Sequence, residues 1–374
     1  MLGLAIALAA GSAAHATTWT WTGNGADDKW SNTANWTPAN FPTNNTIATN
    51  NLIFDGFTRL TPDQDLADPY YVVTSMVFSA NSGAFVLGGL TNVLGVNAWR
   101  SYQLSGSRPS VTVLGTSNIL IKGAINCRAA NDTNFFTIPS NVVLQVPSIS
   151  SPVAGRTVAK NGPGLLRVYE DADGQYYTQA KSNVGPQWQI NDGTVEMGTR
   201  TNCYIYNDTK GTNFILTTQV KGSYVVTVGD GIGLPTSAVM RVIGQLGGIC
   251  GNPVWTILSD GLLDFNNIGS TDIGSTQPML TISNGVLTRV GAGGLLEKSG
   301  ALIDLRGSAR IEGTAVNSIS FYDACTNLVD ATGTRAVIAS DAKMASSGTV
   351  PIGAVFNVSN KPADVVALEI TGFL

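Results

Sequence analysis

The chain has 374 residues, 43% of them apolar, while charged residues make up only 12% and the net charge is −4. That charged share is about half the usual one, too little for a surface of solvated helices. Asn, Thr, Ser and Gly must supply the polar surface, which suits strands and turns; no basic patch marks a nucleic-acid partner, so none is expected.

Residues 2–10 form a short apolar run, and Ala14-His15-Ala16 follows as a small-x-small cleavage site. This reads as a secretory signal peptide over 1–16, with the mature chain starting near Thr17, although no Lys or Arg precedes the run. The competing reading is a buried N-terminal helix. No later stretch has the roughly 18 apolar residues of a membrane span, so none is expected.

From Thr18 the chain alternates, which places Trp19 and Trp21 on one face of a strand and the threonines on the other. Gly23-Asn24-Gly25 turns the chain, and Trp30 and Trp36 follow. Four clustered tryptophans have two readings. Their apolar ring faces suit the C–H face of a sugar, or they plug the open end of a β-structure whose backbone edge must be covered. The position at the start of the mature chain favours the plug, and 17–60 is expected to be an N-terminal capping segment.

From about 60 to 155 short β-branched runs alternate with turn residues, as in Tyr71-Val72-Val73, Val111-Thr112-Val113-Leu114 and Val142-Val143-Leu144-Gln145-Val146. Further on a phrase recurs. Trp188 to Gly198, Trp255 to Phe265 and Leu280 to Val290 each read as strand, glycine corner and strand. Their corner glycines Gly193, Gly261 and Gly285 lie 68 and 24 positions apart. A period of roughly 23 residues fits both gaps, within the range of solenoid repeats. Ala363 to Ile370 reads as a final strand. With no helical periodicity and no linker, the expected fold is all-β: a parallel β-helix over 61–374, continuous with its Trp-rich cap. Stacked coils would align aliphatic side chains inside and place Gly and Asn at corners with φ > 0. Low charge fits too, because like charges one rung apart repel while Asn and Thr stack.

A resemblance rests on several of these segments. Trp21-Thr22-Gly23-Asn24-Gly25-Ala26-Asp27-Asp28-Lys29-Trp30-Ser31, then Asn35-Trp36, resemble the opening of large exported bacterial proteins with autotransporter-associated β-strand repeats. Asn51 to Gly56 and Gly83 to Gly89 resemble the strands that follow there. Lys160 to Val168 and Asn191 to Gly198 resemble the two halves of the repeat, and Val228 to Pro235 the segment after it. The resemblance implies a parallel β-helix displayed outside the cell, no enzyme activity and no catalytic residues. The family's translocator barrel and Pro-Glu-Pro sorting tail are not seen before Leu374. Asn207-Asp208-Thr209 matches a glycosylation acceptor but reads as a polar turn in a bacterial protein.

The chemistry on offer is narrow. The one histidine, His15, lies in the signal segment, so triads and histidine-ligated metals are not expected. Cys127, Cys203, Cys250 and Cys325 form no C-x-x-C pair. Cys203 and Cys250 are expected two coils apart, beyond the reach of a disulfide, so buried free thiols are the simpler reading. Val228 to Gly233 is glycine-rich without a following helix and reads as a corner, not a phosphate loop. Glu170-Asp171-Ala172-Asp173 and Asp63, Asp65 and Asp68 are solvated turns or, alternatively, calcium ligands, the only cofactor considered. A pair of acids one or two rungs apart, such as Asp264 and Asp304, would suit glycoside cleavage if their registers allowed it.

Two functions are therefore carried forward. The first is an exported, non-catalytic structural or adhesive solenoid at the cell surface. Its partners would be cell-envelope or extracellular-matrix components, possible polysaccharide among them, and copies of itself. The second is a carbohydrate-active β-helix, lyase, hydrolase or sugar-binding module, with Trp19, Trp21, Trp30 and Trp36 stacking on sugar.

Overall fold

The computed structural model describes residues 17–43, 50–66, 70–93, 96–128, 133–151, 155–168, 176–178, 186–198, 204–206, 214–215, 225–243, 254–266, 271–273, 278–289, 295–297, 302–313, 319–322, 326–330, 335–339, 342–345, 355–359 and 368–371. Among these, the only helical element is a 3-10 turn, Thr33–Asn35, capped by the Asn32 side chain on the Ala34 N–H. The rest is strands and corners, and the architecture is a parallel β-helix.

One coil shows the plan. Val254–Ile257 runs along a first face, Gly261–Asn266 along a second and Thr271–Ile273 along a third, and Pro278–Ser283 returns to the first. There it pairs in parallel with Val254–Ile257, Trp255 beside Leu280 and Ile257 beside Ile282. The first-face sheet runs from Thr17–Trp21 to Val355–Ser359. The second face is an 11-stranded sheet from Val86–Leu87 to Leu368–Ile370, parallel throughout. The third face is split between a five-stranded sheet on the N-terminal side and a four-stranded one beyond it.

Register explains the stack. On the first face Ile190, Val228, Ile257, Ile282, Leu305 and Val329 follow one another rung by rung, all buried. On the second face Leu166, Val195, Met240, Leu263, Leu287, Ile311 and Ile338 do the same. Burying each such side chain stabilises by about 1.5–3 kcal/mol, and only a stack can do it, because one coil has no second layer. The expected alternation holds at the start, with Trp19 and Trp21 buried and Thr18 exposed.

The spacing departs from expectation. Gly193 pairs with Ala238 and Ala238 with Gly261, so the 68 positions between Gly193 and Gly261 are two coils, not three. The first of those coils takes 45 residues and the second 23. A period of 22 to 25 residues holds from Tyr102 to Leu166 and again from Ala238 to Ile311, and several other coils are longer, because the interior fixes strand length and leaves excursions between strands unconstrained. The same long coil removes the two-coil premise for Cys203 and Cys250, which themselves lie outside the described residues, as does Cys325.

The three repeat glycines do sit at the corner between first and second faces, for two different reasons. Gly193 has φ +70°, a conformation open to glycine, and a Cβ there would also fall on the Gly162 carbonyl oxygen. Gly261 and Gly285 are not left-handed. A Cβ on Gly261 would fall on the Val228 carbonyl oxygen, and one on Gly285 on that of Leu258. Those two corners need glycine because one coil's carbonyl lies where the next coil's side chain would be.

The stack is closed off at its N-terminal end. Thr17–Trp21 pairs in parallel with Asn50–Phe54 on one side. On the other it meets Trp36–Thr37, which runs antiparallel with Trp21 opposite Trp36. The reversed strand covers the backbone edge a parallel stack leaves open.

Candidate functional site

The tryptophan cluster is a plug. Trp21, Trp30 and Trp36 are at most 2% exposed and Trp19 is 9%. Trp36 packs edge-on to both Trp21 (5.1 Å) and Trp30 (5.4 Å), and Trp30 packs edge-on to Tyr71 (5.0 Å). Three of the four polar edges are tied to the chain: Trp36 Nε1 donates to the Trp30 carbonyl, Trp21 Nε1 to the Arg59 carbonyl and Trp19 Nε1 to Asn50 Oδ1, while Trp30 Nε1 is buried without a protein acceptor. Buried Asn35 holds the loop, accepting from the Gly25 N–H and donating to the Asp27 and Lys29 carbonyls. Sugar stacking needs an open ring face, and these four rings have none, so they are set aside as a ligand platform.

The acids are engaged with the protein. Asp65 accepts from the Ser31 N–H and hydroxyl, and Asp28 pairs with Arg59 (3.1 Å) and Thr61. Burial, and then the nearby Asp65 carboxylate, raise the Asp63 pKa above the ordinary range. Among the described residues no group of three or more His, Cys, Asp or Glu is placed to hold a metal. Asp68, Glu170, Asp171, Asp173 and Asn207 to Thr209 lie outside the described residues. Asp264 and Asp304 are not partners. Asp264 is on the second face and accepts from Arg241 Nε (2.8 Å), whereas Asp304 is on the first and accepts from Arg306 (2.6 Å). The register was the condition for that pair, and it fails.

What the stack does build is three outward columns. On the first face Thr18, Asn51, Ser75 and Ser110 lie in register, and further along Gln189, Thr227, Thr256 and Thr281 do. The Ser75 hydroxyl donates to Asn51 Oδ1 at 2.8 Å across one rung. The second face carries Gln145, Arg167, Glu196, Arg241, Asp264 and Thr288 in one column. Arg167–Glu196 (2.9 Å), Arg241–Glu196 (3.8 Å) and Arg241–Asp264 (2.8 Å) alternate in charge along the axis. Two residues earlier on each strand runs a half-buried column of Val143, Leu165, Thr194, Val239, Leu262 and Val286. Sequence reasoning reached the Asn/Thr stacking but missed the charged column, whose members are unevenly spaced along the chain and meet only once the 45-residue coil is known.

Two further features were missed. Lys160 takes an interior position between Phe136 and Ile190 and is fully buried. Its Nζ donates to the carbonyls of Asn161 (3.2 Å), Gly162 (2.5 Å) and Asp192 (3.0 Å), tying two successive corners. Burial pulls its pKa down to about 8. The second is what the corner at 229–237 carries, the corner itself having been expected. Buried Asp260 accepts from the Asp230 and Gly231 N–H groups and fixes this loop, which presents Ile232 and Leu234 at 86% and 80% exposure. Cys127 is a buried free thiol whose pKa burial pushes upward.

Comparison with protein-family models, with curated proteins and with solved structures found no match.

Proposed function

We propose that the chain is an exported, non-catalytic β-solenoid of the cell surface or extracellular space, with a structural or adhesive role. The observation that carries this reading is the first-face column, in which Thr18, Asn51, Ser75 and Ser110 and, after Phe135 and Ala159, Gln189, Thr227, Thr256 and Thr281 form two uncharged polar runs of four rungs each, the second ending at Asp304. Each hydroxyl or amide offers one weak hydrogen bond to an extended partner such as a polysaccharide or envelope polymer. A row of them at a fixed rung spacing adds these into avidity without a single dominant site. The apolar run before Thr17 and the resemblance to autotransporter-associated repeats support export.

Retention of the purified chain on envelope fragments, matrix proteins and polysaccharides tests the reading. Thr227→Val, Thr256→Val and Thr281→Val together remove three consecutive hydroxyls and keep the strand shape. Retention is expected to fall about tenfold or more, because the lost contacts multiply. Absence of retention on every surface overturns the adhesive role.

A further inference from the structure

Six consecutive rungs of the second face carry a pattern that repeats when they are counted backwards, bounded in the same column by Leu120 before Gln145 and Glu312 after Thr288. The charged column reads Arg167, Glu196, Arg241, Asp264 along the axis, and reversed it puts an acid against every arginine. The flanking residues of that column, Gln145 and Thr288, are both neutral and polar. The aliphatic column behaves the same way: Val143 reverses onto Val286, Leu165 onto Leu262, and Thr194 onto the isosteric Val239.

We propose that two copies of this chain pack second face to second face, with their long axes antiparallel, about a two-fold axis lying along the strands between the Glu196 and Arg241 rungs. Such an axis keeps the strand direction and inverts the rung order. Each column therefore lies over its own copy in reverse: Arg167 over Asp264, Glu196 over Arg241, Leu165 over Leu262. The contact is isologous, as a closed dimer requires. The other in-plane two-fold, along the solenoid axis, keeps rung order and brings arginine over arginine and acid over acid. Charge thus selects one of the two arrangements.

The exposed loop fits the same axis. Ile232 and Leu234 stand at the corner of the Arg241 rung, immediately beside the dyad, so the two loops come side by side and their apolar tips lose water together. Six rungs of about 4.8 Å by five residues of about 3.3 Å give roughly 500 Å² per copy, near 1,000 Å² in total before the loops are added, the threshold of a specific interface. The dimer does not rest on the adhesive reading.

Sedimentation and light scattering of the full chain test the proposal, with circular dichroism confirming that each variant is folded. The wild type is expected at twice the 39.0 kDa chain mass. Leu262→Lys, an outward substitution, is expected to weaken association about 100-fold or more, and Arg241→Glu to do the same by opposing Glu196 of the other copy. Glu196→Arg with Arg241→Glu restores complementarity across the dyad while placing like charges side by side within one chain, and is expected to recover the dimer. Cysteines replacing Leu165 and Leu262 are three rungs, about 14 Å, apart within one chain but opposed between copies about 10 Å away. A thiol cross-linker of about 10 Å reach is therefore expected to give a covalent dimer that the wild type does not form. A wild type that stays monomeric to about 100 μM, a folded double reversal as monomeric as Arg241→Glu, or no cross-linked dimer overturns the proposal. A monomeric chain still retained on surfaces removes the dimer alone and leaves adhesion standing.

Discussion

The N-terminal end and the coils beyond Ala238 solve the same burial problem with different side chains. The end fills its interior with rings: Trp21, Trp30, Trp36, Phe54, Phe78 and Tyr71, with Phe54 stacked on Phe78 at 5.1 Å. The later coils use mainly Ile, Leu and Val, at a spacing near 24 residues, with Trp255 packed edge-on to Phe265 at 5.9 Å as the aromatic exception among the described residues. A middle coil has a neighbour above and below, so a single aliphatic side chain per position completes its layer. The terminal coil lacks one neighbour, and large rings from an irregular loop must stand in for it. Aromatic rings are therefore densest at this end of the stack, where an irregular loop completes the layer.

Four substitutions test that contrast. Trp30→Ala removes the ring that touches Trp36 and Tyr71 and is expected to cost about 3–5 kcal/mol in equilibrium denaturation. A loss under about 1 kcal/mol would mean the aromatic end is decoration on an independently stable stack.

Lys160→Met is expected to cost about 3 kcal/mol, since the corner carbonyls of Gly162 and Asp192 lose their donor. Its pH dependence has a definite sign. The folded-state pKa, about 8, lies below the 10.5 of an unperturbed lysine, so between these values the unfolded chain binds more protons. Wild-type stability relative to Lys160→Met should then grow from pH 8 to pH 10, by up to about 1.4 kcal/mol per pH unit. A difference that shrinks over this window contradicts the burial of a costly charge.

Gly285→Ala should cost about 2 kcal/mol, because its Cβ meets the Leu258 carbonyl. Gly56→Ala, at φ +79° with open space around it, should cost only about 1 kcal/mol. Equal melting shifts for the two would show that coil-to-coil approach does not constrain the later corners.

Much of the fold was legible because it is local. Turn residues delimited strands such as Ser110–Val113 and Val143–Val146, and alternation gave the inward face at Trp19 and Trp21, whereas the run Tyr71 to Val73 is only the first part of the nine-residue strand Tyr70–Phe78. The repeated phrase marked true corners. Coil length was not legible, because the residues between Gly198 and Ala238 extend one coil without altering the strands that flank it. The charged column failed with it, whereas the Asp264–Asp304 pair failed because the two lie on different faces and the inward turn of Lys160 is a matter of phase within its own strand. A lysine looks the same in sequence whether it points at water or at three carbonyls.

The reversed strand Trp36–Thr37 has one more effect. Parallel stacking is a template that any extended segment could copy, and a neighbour of opposite direction ends the copying on its side. Lengthening such a protein by tandem duplication of its units is then geometrically free only beyond the plug, where each unit touches just the ones before and after it. Ancestry, on this view, should be written in the 24-residue coils, while the tryptophan end stays single.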